Sequence, residues 1–292
     1  MTTRGVNQII NSMNTSDGAG VKLMRTLGQR PNLRLDPFLM LDEFGSFDAN
    51  DYIAGFPPHP HRGFETVTYM LEGHMLHEDH MGNKGHLRSG DVQWMTAAHG
   101  IIHSEMPQQQ SGRMHGFQLW INLPAREKMK PAGYRDIPAD KIPTASLDNG
   151  VTVKVIAGDV LNGEQRVSGP VQGLATQALY LDVTLPQGQR FVQPTPAAHN
   201  AFIYLYEGEI TIGEGHVTKL QGHTAALLNA GDQIVVTATS DARFLILAAL
   251  PLNEPVVQYG PFVMNTREEI EQAINDYQNG KLVQEKAVAL AE

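Results

Sequence analysis

Short apolar runs alternate with polar positions and turn residues along most of this chain, the pattern of strands that each bury one face. From about Leu35 to Leu123 these runs are separated by Gly, Pro and Asp. Phe64 to Leu71 reads as a strand from its Thr, Val and Tyr content. Gly90-Asp91 reads as a turn opening the strand Val92 to Met95, and Met114 to Leu123 reads as another strand. The texture then changes. Pro124 to Pro143 carries charges and three further prolines (Pro131, Pro138, Pro143), and reads as an irregular connection between two domains.

The second half repeats the first in weakened form. Tyr69-Met-Leu-Glu-Gly73 has a counterpart in Tyr204-Leu-Tyr-Glu-Gly208, and Gly90-Asp91 has one in Gly231-Asp232. Self-similarity of this kind predicts duplicated barrels. The tail differs: Ile270, Ala273, Ile274 and Tyr277 fall at helical spacing. Thr266 followed by Glu269 fits a capping box, and Gly280 fits a stop. After Lys281 the chain is expected to wander or to form a loose second helical piece.

Composition narrows the classes. The 292 residues suffice for one large or two ordinary domains, and 28 Gly and 17 Pro spread along the chain favour many short elements joined by turns. There is no cysteine, which excludes disulfides, thiolate metal sites and Cys nucleophiles. A net charge of −9 argues against a non-specific grip on nucleic acid. The start lacks the apolar stretch of a secretory signal and no run reaches membrane-spanning length, so a soluble cytoplasmic protein is expected. No phosphate-cradling Gly-rich loop and no nucleophile elbow is present.

The chemistry concentrates in two short pairs, His59-Pro60-His61 and His103-Ser104-Glu105. Residues two apart on a strand share a face, so each pair aims two ligands at one point. If both strands line one barrel, three imidazoles and a carboxylate converge, a donor set for a borderline divalent metal. Pro57, Pro58 and Pro60 stiffen the first segment in extended form, and Glu65 continues the same parity. His74, His77 and His80, with Glu78 and Asp79, read as decoration on an exposed hairpin. Trp94, Met106, Phe117 and Trp120 read mostly as core, and Lys128, Lys130 and Arg135 as a solvated linker face. The second half has only His199 near the corresponding segment, with His223 in a Gly-flanked turn, so its barrel is expected to be metal-free.

Two stretches carry a family resemblance: Phe56-Pro-Pro-His-Pro-His-Arg-Gly-Phe-Glu-Thr-Val-Thr-Tyr-Met-Leu-Glu-Gly73 and Gly90-Asp-Val-Gln-Trp-Met-Thr-Ala-Ala-His-Gly-Ile-Ile-His-Ser-Glu-Met-Pro107. Both closely resemble the pirin family of bicupins, most strongly from about Met24 to Leu123. The resemblance implies an all-β fold of two face-to-face jelly-roll barrels with a short C-terminal helix. Residues 1–145 would be the metal-binding barrel plus linker, and 146–292 the second barrel with the helix. It implies one metal, usually iron, with Mn, Ni, Cu, Co or Zn as alternatives, held by His59, His61, His103 and Glu105.

Where a typical cupin takes its carboxylate ligand from the position of Glu65, the pirin pattern uses Glu105. Glu65 would then orient His61 or Arg62. Ala98 stands where a glycine is commoner, and His99 is expected near the pocket mouth. The implied activity is that of a quercetin 2,3-dioxygenase, opening a flavonol with O2 and releasing carbon monoxide, with Glu105 as the base. The alternative is a non-enzymatic, redox-sensing protein that binds a protein partner as a regulatory cofactor. Neither reading involves a membrane or direct nucleic-acid contact.

Overall fold

The structure is a computed structural model describing residues 1–30, 33–162 and 165–283. The first strands along the chain are β1 (Val6–Asn11), β2 (Met13–Asp17), β3 (Val21–Arg25), β4 (Phe38–Ser46), β5 (Phe56–His61), β6 (Phe64–Glu72), β7 (His74–Asp79) and β8 (Lys84–Arg88). There follow β9 (Val92–Thr96), β10 (Ile101–Pro107), β11 (Met114–Asn122), β12 (Gly133–Ile137), β13 (Thr144–Ser146), β14 (Thr152–Ala157), β15 (Asp159–Asn162) and β16 (Gln165–Ser168). The rest are β17 (Leu179–Leu185), β18 (Arg190–Pro194), β19 (Asn200–Glu207), β20 (Glu209–Ile212), β21 (Thr218–Gln221), β22 (Thr224–Leu228), β23 (Gln233–Ala238), β24 (Ala242–Ala249), β25 (Val257–Tyr259) and β26 (Phe262–Met264), then the helix α1 (Arg267–Gln278).

Two compact units result, each built on a seven-stranded and a four-stranded sheet and carrying one two-stranded ribbon, β25-β26 in one and β15-β16 in the other. One unit has a seven-stranded sheet in the order β12-β9-β6-β11-β4-β3-β2 and a four-stranded sheet β5-β10-β7-β8. The other has β1-β22-β19-β24-β17-β14-β13 and β18-β23-β20-β21. The two orders correspond strand for strand, so the chain holds two copies of one jelly roll. The strand ends at Tyr69–Gly73 and Tyr204–Gly208 close equivalent strands, β6 and β19, as the repeat implies.

The Gly-Asp half of the repeat does not survive. Gly90-Asp91 precedes β9, whose counterpart is β22, whereas Gly231-Asp232 precedes β23, the counterpart of β10. A two-residue turn signal records a reversal of the chain, and every hairpin needs one. It cannot say which strand follows.

The supposed connection also contains a strand. β12 runs along β9 from Gly133 opposite Thr96 to Ile137 opposite Val92, held to five residues by the flanking Pro131 and Pro138. It covers the edge of β9. The equivalent edge of β22 is covered by β1, from the far end of the chain. The unit with the second barrel accordingly comprises Met1–Met13, Leu35–Pro37 and Asp140–Pro251. The other takes Asn14–Arg34, Phe38–Ala139 and the described tail from Leu252. A single cut at 145/146 therefore does not separate the units, because each terminal segment pairs within the barrel distant in sequence.

The tail helix forms as its sequence predicts. Thr266 Oγ1 accepts from the Glu269 amide at 3.2 Å and Glu269 Oε2 accepts from the Thr266 amide at 3.0 Å. Its buried face, Ile270 and Ala273, packs on Phe262 and Met264, and Gly280 ends it at φ +66°. Residues 284–292, where a second helical piece was expected, lie outside the described residues. No helix among the described residues is long and apolar enough to cross a membrane.

Candidate metal centre

β5 is the edge strand of its sheet, which is where three prolines without ladder donors can be accommodated. It runs antiparallel to β10 with His59 opposite His103 and Ile101 opposite His61. Strand parity therefore turns His59, His61 and His103 to one point. Their ring centroids are 4.7, 4.4 and 5.0 Å apart in the pairs 59–61, 59–103 and 61–103. One ligand nitrogen from each ring lies within 4.8 Å of the other two. Metal–nitrogen bonds of about 2.1 Å place the nitrogens about 3–4 Å apart, so little adjustment separates this cluster from a coordination sphere.

Each ring has one nitrogen engaged elsewhere. His59 Nδ1 donates to the Pro57 carbonyl at 2.8 Å, His61 bonds the Pro261 carbonyl, and His103 Nδ1 meets His77 Nε2 at 2.9 Å. His61 Nδ1 and His103 Nε2 are buried without a hydrogen-bond partner. A buried orphan of this kind costs about 1–3 kcal/mol. Burial, and then the neighbouring imidazoles, push His61 and His103 well below the usual histidine range. Both rings are therefore neutral at neutral pH, the form that coordinates metals. Orphaned, uncharged nitrogens facing one another fit a borderline divalent ion.

Glu105 stands outside this group of three. Its Oε1 accepts from Thr68 Oγ1 at 2.9 Å, and that hydroxyl lies 2.6 Å from Gln118 Oε1. Burial raises the Glu105 carboxyl above the ordinary range, opposed by the nearby His59 and by the Thr68 bond. His59, His61 and Glu105 line one cavity of about 760 Å³, with Thr68, Gln118 and Trp120. Met40, Phe44, Phe56 and Met75 supply apolar wall. Trp120 is thus more than core: it meets His61 edge-on at 5.3 Å and packs on Phe64. Phe117 and Trp94 are buried, as expected of core.

His77 is where the sequence reading fails most clearly. It is fully buried and touches His103. The residues of β7 alternate in burial, with Met75, His77 and Asp79 facing in, so the parity applied to the other histidines would have found it. Burial pushes its pKa down to about 4. The neighbouring His74 instead faces His86 across the hairpin at 2.8 Å.

Three other expectations change. Glu65 does not orient His61 or Arg62; its carboxylate accepts from Thr96 Oγ1 at 2.7 Å, directly across from it on β9. His99 meets the tail rather than the pocket mouth, through Leu282 O at 3.1 Å from Nδ1. Lys128 is buried rather than solvated. Its Nζ donates to Gly63 O and Asn122 Oδ1 at 2.6 Å and to Val263 O at 3.0 Å, and burial pushes its pKa down to about 8. Arg62 is likewise buried, 2.7 Å from Asp276 of α1. Together these two cations fasten the tail beside β5.

Comparison with known proteins agrees with this architecture. Residues 20–121 match the Pirin family model and 180–283 the model of the pirin C-terminal cupin domain. A Pseudomonas aeruginosa protein provisionally named as a quercetin 2,3-dioxygenase is 51% identical over 279 residues, covering 96% of this chain and 98% of its own. Pirin of Homo sapiens is 44% identical over 285 residues, covering 96% and 94%. Among solved structures, a quercetin 2,3-dioxygenase from Acinetobacter baumannii aligns with a TM-score of 0.88 at 34% identity, over 97% of this chain and 100% of that one.

Proposed function

This chain belongs to the pirin family of two-cupin proteins, and on that premise we propose that it is a metal-dependent dioxygenase. It would open the central ring of quercetin-type flavonols with O2 and release carbon monoxide. The observation that carries this reading is the cluster of three imidazoles, His59 half-buried and His61 and His103 buried with unpartnered nitrogens, beside a largely apolar cavity of about 760 Å³. A cavity of that size lies within the range that holds small flat ligands. The first barrel is the proposed metal domain. His59, His61, His103 and Glu105 are the proposed ligands, and Fe(II) the proposed ion; Mn, Ni, Cu, Co and Zn suit the same donors. When bound, such an ion supplies Lewis acidity that lowers the pKa of a substrate hydroxyl.

The protein groups supply the rest. Glu105 is the proposed base for the flavonol 3-hydroxyl. Burial raises its affinity for a proton, which matches it to a weakly acidic phenol. Thr68, bonded to Glu105 and beside Gln118, holds the carboxylate in place on the cavity wall. Trp120, Phe44 and Met40 offer flat and flexible apolar surface to the substrate rings and keep water out.

The test is the decay of quercetin absorbance in air with protein loaded separately with Fe, Mn, Ni, Cu and Co. Decay well above a His59→Ala control is expected for at least one metal. No decay above that control with any of the five removes the enzyme. Capture of a protein partner that depends on the metal's oxidation state would then support a regulatory role instead.

A further inference from the structure

We propose that His77 is a positioning residue of the metal centre, fixing the tautomer of His103 so that His103 Nε2 faces the ion bare. The inference rests on the metal reading above and adds a residue that is not itself a ligand. β10 lies between β5 and β7, so the strand bearing His103 is flanked by His59 on one side and His77 on the other. His77 sits directly opposite Glu105 and diagonally across from His103, within reach of a long side chain. The gap from His77 Nε2 to His103 Nδ1 is 2.9 Å, and both rings are buried.

Only one proton arrangement across that gap allows coordination. A proton on His103 Nδ1 donates to His77 Nε2 and leaves the lone pair of His103 Nε2 free, the atom without any protein partner. The opposite arrangement, with His77 Nε2 as donor, forces the remaining proton of neutral His103 onto Nε2 and blocks it. In the arrangement that allows coordination, His77 accepts at Nε2 and carries its own proton on Nδ1, which also has no hydrogen-bond partner, in a ring packed edge-on to Tyr134 at 5.1 Å. Bonds of this type make the ligand ring more basic and hold its orientation. The second barrel offers an internal contrast. Four residues beyond the shared Tyr-x-x-Glu-Gly, where the first barrel has His77, the second has the buried Ile212.

The experiment uses full-length protein and Co(II), with affinity measured by competition against a chromophoric chelator and the visible spectrum of bound Co(II) recorded alongside. Five proteins are compared: wild type, His103→Ala, His77→Leu, His77→Gln and His77→Asn. A glutamine places its terminal amide about where Nε2 stood and can still accept from His103, whereas asparagine falls short. His77→Leu and His77→Asn are expected to bind Co(II) about 10- to 100-fold more weakly, with an altered spectrum. His77→Gln is expected to stay close to wild type in both. If the leucine variant does not fold, the contrast between asparagine and glutamine carries the test.

Equal affinity and spectrum in all three His77 variants and the wild type would overturn the inference alone. An equal loss in all three, glutamine included, would overturn it too, since that loss would follow shape and not the hydrogen bond. Failure of wild type to bind Co(II), or binding by His103→Ala as tight as wild type, would overturn the metal reading itself.

Discussion

The two four-stranded sheets share one strand order and hold opposite interiors. In β5-β10-β7-β8 the inward positions include His59, His61, His103, Glu105 and His77. In β18-β23-β20-β21 the buried positions include Phe191, Ile234, Val236, Ile210 and Ile212, which join a core cluster with Val183, Leu205 and Phe244. The same topology thus tolerates a ring of imidazoles in one copy and an aliphatic filling in the other. What differs is how each interior is satisfied. Aliphatic side chains gain by leaving water, about 25 cal/mol for each Å² of apolar surface buried. Buried ring nitrogens lose their hydration and need a donor, an acceptor or an ion in return. Both copies have apolar cores of their own, and the contrast lies in this one sheet, apolar inside in the second copy and lined with imidazoles in the first.

That division can be broken most strongly from the apolar side. Phe244→Ala should cost about 3–5 kcal/mol by chemical denaturation, while leaving the Co(II) affinity of the folded protein unchanged. A parallel loss of metal affinity would mean that the second core supports the first site. Next comes His103→Ala, expected to weaken metal binding by more than the roughly 100-fold that an outer partner can cost, with His80→Ala as an indifferent control. Metal content after dialysis reads this directly.

Lys128 gives a pH-dependent version on the first unit. Its folded pKa of about 8 lies below the usual 10.5, so the native state releases the proton first and stability rises as pH climbs from about 8 to 10.5. Relative to Lys128→Met, wild type should gain up to about 3 kcal/mol across that window, since each tenfold change in proton affinity is worth about 1.4 kcal/mol. Denaturation midpoints of both proteins at pH 7.5 and pH 10 check the sign. The carboxylates separate more finely: Glu105→Gln should lower metal affinity and Glu65→Gln should not, because Glu65 is bonded to Thr96. The reverse result would make Glu65 the fourth ligand. The smallest effect is expected of Thr266→Ala, about 1 kcal/mol from the lost cap of α1, read by thermal denaturation.

Much of this site was legible because it depends on local geometry. His59 with His61, and His103 with Glu105, share a face by the two-residue period of a strand, wherever that strand lies. The helix cap at Thr266 and Glu269 is local in the same way. Lys128 and His77 were misread for a common reason: a polar residue in a turn-rich segment is usually wet, and only a neighbour distant in sequence can bury it. For Lys128 those neighbours are Gly63 and Val263, and for His77 it is His103.

By itself, then, the sequence determined the duplicated strand-rich halves, the face-sharing pairs His59 with His61 and His103 with Glu105, and the terminal helix, each through short-range periodicity or a few adjacent residues. The jelly-roll topology was implied only by the family resemblance, and the pairing of β5 with β10 brought the three imidazoles together. The tertiary structure alone decided that β1 closes the second barrel and β12 the first. It also decided that Gly90-Asp91 and Gly231-Asp232 stand before non-equivalent strands, and that Glu105 rests on Thr68. Such facts depend on which edges remain open once the sheets have formed, and an open edge accepts any strand that can supply its hydrogen bonds. The side chains of a single segment carry no record of that choice.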